Sequence, residues 1–97
     1  MIRATLEKRW FDLTREELPA LASERGWPIR LDHCFQRVLL DHAVGGPWRE
    51  MIPSPAYRHA SDAQLEAAIA LGERVRDGSV DLVALNRQSL EWRGKAR

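Results

Sequence analysis

Between Ser61 and Gly78 the chain reads SDAQLEAAIALGERVRDG, and its apolar residues recur with a helical period. Leu65, Ala68, Ile69, Gly72 and Val75 fall on one face, which predicts an amphipathic helix with that face buried. Ser61, with Gln64 three residues on, forms a capping box: the hydroxyl takes the Gln64 amide while the Gln64 side chain reaches back. Asp77-Gly78 ends the helix. A glycine within it costs up to about 1 kcal/mol against alanine. Gly72 on the buried face therefore predicts the close approach of another helix.

Three other segments carry the same period. LTREELPALASERG places Leu18, Leu21 and Ala22 on one side, with Thr14 and Glu17 as a second capping box and Gly26 as a C-cap. Pro19 removes one backbone bond and moves the expected start toward Glu16. LDHCFQRVLLDHAVGG puts Leu31, Phe35, Val38 and His42 on a stripe, with Cys34 and Leu39 beside it and Gly45 at its end. That segment is apolar around much of its circumference, so it is the expected central helix. SVDLVALNRQSLEWRG sets Leu82, Leu85, Ser89 and Trp92 on one side. Upstream, RATLEKRWFDL mixes strand formers with helix formers, and no second strand is at hand to pair with it. It reads as helix or irregular structure. The expected fold is all-α: residues 1–97 as a compact single-domain bundle of about four helices with one long apolar loop.

That loop is GGPWREMIPSPAYRHA, residues 45–60. It has no helical period, yet it contains Trp48, Met51, Ile52 and Tyr57. Such apolar content predicts that it lies against the bundle as a cover. The four tryptophans, Trp10, Trp27, Trp48 and Trp92, fall at or beside expected helix ends, where indoles close the edges of a small core.

Charge narrows the function classes. Fifteen basic and 14 acidic residues leave a net charge of +1, without the basic excess from which nucleic-acid binders draw most of their affinity. The tail RGKAR concentrates Arg93, Lys95 and Arg97, and reads as a solvated end. A single cysteine gives no internal disulfide, and the N-terminus has no apolar signal core. No apolar run approaches the ~18 residues of a membrane span. A cytoplasmic domain with no membrane partner is the expectation.

Candidate chemistry concentrates on the central helix and the loop. His33, Arg37 and Asp41 stand at i, i+4 and i+8, a polar row expected on the outer side, with Arg37 able to pair with Asp41. His33 and Cys34 are adjacent and point about 100° apart on a helix, a poor arrangement for a thiol–imidazole pair. Histidines 33, 42 and 59 lack the spacing of a metal motif, and no nucleotide loop or nucleophile elbow is present. No metal or cofactor is expected. The leading reading is a non-catalytic binding domain whose surface is lined by His33, Arg37, Asp41, Arg49, Tyr57, Arg58 and His59. Its arginines would hold an acidic protein partner, or a second copy of the chain, in preference to nucleic acid. The alternatives are a small enzyme at the same surface, by acyl or acetyl transfer or through Cys34, and a nucleic-acid module.

The block DHCFQRVLLDHAVGGPW followed by PAYRH resembles one in small, uncharacterised bacterial proteins, some loosely labelled relatives of the GCN5-type N-acetyltransferases. The resemblance spans residues 27–93 and implies no role for any single residue. The acetyltransferase label implies a central sheet and an acetyl-CoA loop of the Arg/Gln-x-x-Gly-x-Gly/Ala type. The chain departs from that pattern in having no such loop and little strand.

Overall fold

In the computed structural model, which describes residues 2–95, the chain folds into helices with no strand among the described residues. Residues 3–22 form one continuous rod: α1 (Arg3–Phe11), a π-helical stretch (Asp12–Glu17) and α2 (Leu18–Ala22). Within the rod the Leu18 N–H bonds the Leu13 carbonyl, five residues back. This widening falls directly ahead of Pro19, which has no N–H to give, and lets the helix pass the proline unbroken.

The segment of ambiguous preference is thus helical. The capping box expected at Thr14 does not form, because the helix has already begun at Arg3. Thr14 is instead buried within the rod. Its hydroxyl donates to the Trp10 carbonyl at 2.9 Å and accepts from Gln36 Nε2 at 3.0 Å. Glu17 pairs with Arg9 and Arg76, tying the rod to the later helix.

The central helix, α3 (Asp32–Val44), ends where expected, at Gly45 with φ +78°. Phe35, Val38, Leu39 and Leu40 are buried, but Leu31 is 57% exposed. It precedes the first helical residue in extended conformation, so the stripe begins one turn later than its sequence spacing predicts. The 45–60 connection is less irregular than expected. It contains a 3₁₀ turn (Trp48–Glu50) and the one-turn helix α4 (Ala56–His59). Ile52, Ala56 and Ala60 hold it against the bundle, while Met51 points away, 63% exposed.

In α5 (Asp62–Asp77) the capping box is present as predicted, with Gln64 N–H to Ser61 Oγ at 3.0 Å and Ser61 N–H to Gln64 Oε1 at 2.9 Å. All five residues of its predicted face are buried. A Cβ placed on Gly72 would lie 2.5 Å from Leu13 Cδ2 and 2.9 Å from Leu39 Cδ1. The glycine is therefore where the rod, α3 and α5 meet. The last helix, α6 (Leu82–Trp92), starts on Asp81, whose carboxylate accepts the Val83 N–H at 3.0 Å.

The long elements are thus the rod, α3, α5 and α6, with α3 packed against the other three. Trp10 and Trp27 close the core, Trp27 meeting Phe35 edge-on at 5.7 Å. Trp92 packs on His42 at 4.9 Å, and the His42 Nε2–H donates to the Leu85 carbonyl at 2.9 Å, joining α3 to α6. Trp48 faces a cavity.

Candidate functional site

That cavity, about 510 Å³, opens between the rod, α3 and the 45–60 connection. The rod contributes Trp10, Phe11 and Arg15; α3 contributes His33, Gln36, Arg37 and Leu40. Trp48, Arg49 and residues 54–57 form the opposite wall, and Arg93 stands at one end. Four arginines line it, and no aspartate or glutamate does so among the described residues.

Beneath the cavity, Asp41 is fully buried. Its Oδ1 accepts from Arg93 Nη2 at 2.8 Å and from the Trp48 N–H at 2.9 Å. Its Oδ2 accepts from Arg93 Nε and Ser89 Oγ, both at 2.7 Å. Burial alone pushes the Asp41 carboxyl up, but Arg93, Ser89 and the Trp48 amide outweigh it and hold the group below the usual carboxylate range. The fork from Arg93 fixes the C-terminal end of α6 against α3, and the Trp48 amide fixes the start of the loop. One carboxylate thus positions two walls of the cavity.

Arg37 is placed differently. Its Nη1 donates to Ser89 Oγ and its Nη2 to Asn86 Oδ1, each at 2.8 Å. Both acceptors are neutral. Burial lowers the Arg37 pKa and neighbouring Arg93 adds to this, against a weaker opposing attraction from Asp41 one turn away. The guanidinium nevertheless stays charged. Arg37 is thus a half-buried cation facing a cavity, with no ion pair to a carboxylate among the described residues.

Around the rim, Arg49 lies 5.3 Å over the Trp48 ring and Arg15 lies 3.9 Å over Phe11. Arg15 reaches Asp32 only loosely, at 3.7 Å. Phe11 and Tyr57 meet edge-to-face at 5.0 Å. The wall is therefore aromatic, with guanidinium groups stacked on its outer faces.

Of the seven residues singled out from sequence, the fold brings His33, Arg37, Arg49 and Tyr57 to this cavity. Asp41 lies under it as a support. Arg58 and His59 are exposed on α4 and do not line it. The expected Arg37–Asp41 pair on an outer polar row is not formed: Arg37 and Asp41 face α6, and Arg93 takes the carboxylate by a two-pronged contact that a neighbour one turn away cannot match. Arg93 itself was expected in a solvated tail and is instead anchored in the fold. Arg97 of the same tail lies outside the described residues.

Sequence reasoning missed Arg93, Arg15, Asn86 and Gln36 as members of the site. For Asn86 a signal exists, since it falls one turn from Leu82 and Ser89 on the buried side of α6.

Cys34 is half-buried, and no hydrogen bond joins it to a histidine among the described residues. Nor do three His, Cys, Asp or Glu side chains converge there closely enough to hold a metal ion. Comparison with family models, with curated proteins and with solved structures finds no match to this chain.

Proposed function

We propose that this chain is a small binding domain whose central helix and 45–60 connection form a recognition pocket for an acidic group carried by a partner protein or by a second copy of the chain. The observation that carries this reading is Arg37. A half-buried cation whose hydrogen bonds go to neutral acceptors is costly to hold, and an incoming anion would supply the missing charge. Arg49 and Arg15 at the rim would steer such a group inward.

The reading also rests on what surrounds the pocket. With a net charge of +1 the domain lacks the broad positive field that a phosphate polymer selects. Among the described residues no helix is long and apolar enough to cross a membrane.

Titration with inorganic phosphate, followed by backbone and indole NMR shifts, tests the reading. Shifts should concentrate at Arg37, Trp48, Arg49 and Arg93 and should vanish in Arg37→Met. Shifts scattered over the surface, or unchanged in the variant, would count against the pocket. Self-association would show as a concentration-dependent mass in sedimentation, reversed by the same anion.

A further inference from the structure

Resting on that reading of the cavity, we propose that its ligand is a phosphate monoester in its dianionic form, carried on an aromatic or otherwise apolar group.

Charge matching supports the dianion. Arg93 is already matched by Asp41, with Glu50 near it, and Arg15 has Asp32 at 3.7 Å. Arg37 and Arg49 have no carboxylate partner among the described residues, and both line the same cavity. A monocarboxylate would leave one of these two cations unmatched. A phosphate monoester carries close to two charges at neutral pH and three acceptor oxygens.

Geometry supports an oxyanion held by the fork of Arg37, and the charge count above selects the phosphate. Asn86 and Ser89 hold two nitrogens of Arg37, so the plane of its fork is fixed before a ligand arrives. A fixed guanidinium presents parallel N–H groups to an oxyanion without losing further side-chain freedom. The cavity is also far larger than one phosphate. Its volume of about 510 Å³ lies in the range of small-molecule sites. Phe11, Leu40, Trp48, Pro55 and Tyr57 supply apolar lining, alongside the polar His33, Gln36 and Ser54. Such aromatic walls accept an apolar body.

The test compares phenyl phosphate, benzenesulfonate and inorganic phosphate by calorimetry on the whole chain, at about pH 8, where the monoester is fully ionised. Benzenesulfonate keeps the ring and the tetrahedral head but has one charge fewer. Phenyl phosphate should bind at least about tenfold more tightly than either, the size of one charge-assisted hydrogen bond. Arg37→Met should lose about tenfold or more. Arg49→Gln, at an exposed position whose described contact is with the Trp48 ring, should lose roughly threefold or more and guards against a folding defect in the first variant.

Equal binding of benzenesulfonate would overturn the dianion while leaving an anion pocket standing. Equal binding of inorganic phosphate would overturn the apolar carrier. Failure of every anion to bind would overturn the pocket as well. A short phosphotyrosine peptide separates two sources of the same chemistry. Binding tighter than phenyl phosphate supports the phosphate on a partner's side chain, and binding no tighter supports it on a free small molecule.

Discussion

Replacing Asp41 with asparagine preserves the shape of the side chain and removes its charge. In one orientation the amide oxygen still accepts the Trp48 N–H, but the new NH₂ then faces Ser89 Oγ and Arg93 Nε, both of which donate to Oδ2 in the native protein. In the other orientation the NH₂ faces two N–H donors. Serine can turn its hydroxyl to accept, and arginine cannot. Breaking a buried pair by removing one partner costs about 3–5 kcal/mol. Arg93 keeps 22% of its side chain exposed, so water recovers part of its lost interaction. The expected loss is therefore about 2–3 kcal/mol, out of roughly 5–15 for a domain of this size. Equilibrium urea unfolding followed by tryptophan fluorescence measures it, and the accompanying fall in Tm should be about 10–20 °C. Removing the orphaned cation as well, in Asp41→Asn/Arg93→Met, should return at least about 1 kcal/mol.

Acid provides an independent check on the same group. The folded Asp41 pKa is depressed, so its contribution is fully present above the ordinary carboxylate value of about 3.9. That contribution is lost as pH falls through the lower, folded value. The native protein and Asp41→Asn should therefore converge in stability on the acid side and diverge by the full difference near neutrality. A loss below about 0.5 kcal/mol, equal at acid and neutral pH, would refute the role given to this carboxylate.

Gly72→Ala gains up to about 1 kcal/mol of helix propensity, but it drives a methyl into Leu13 and Leu39, whose burial leaves them nowhere to swing; chemical denaturation should show a net loss of about 1–2 kcal/mol. Cys34→Ala should leave anion affinity within about twofold of native by calorimetry, and native Cys34 should be alkylated more slowly than in the unfolded chain. Arg37→Met should change stability by no more than about 1 kcal/mol in the same urea assay, since relief of a half-buried charge offsets two lost hydrogen bonds, while anion binding weakens by about tenfold or more.

What the sequence made legible was the elements whose signals are local. The Ser61–Gln64 box, the Gly45 and Gly78 stops and the buried face of α5 depend on neighbours within one or two turns, and all are in place. Thr14 misleads because a capping box is only a start signal if no helix precedes it, and Trp10 and Phe11 hide the one that does. Arg93 is illegible for a different reason. The acid nearest it in sequence, Glu91, is exposed and does not pair with it, and its partner Asp41 comes from a helix 52 residues earlier. The candidate site was half visible: the helix-plus-loop pairing was read from composition, whereas the rod's contribution of Phe11 and Arg15 required knowing how three helices cross.

Arg37 and Asp41 stand one turn apart on α3, the spacing at which an arginine and an aspartate ordinarily pair. They do not pair, because every acceptor direction of Asp41 is taken: two by Arg93, one by Ser89, one by the Trp48 amide. Ser89 marks the division, since its hydroxyl donates to Asp41 while accepting from Arg37. The carboxylate is committed to holding the C-terminal end of α6 and the loop in place. The arginine beside it is left held by neutral groups, rigid and facing the cavity. The two roles depend on each other. Without Arg93 on Asp41, the default pairing along the helix would quench the cation at the cavity floor, and the pocket would lose the charge that makes it a pocket for anions.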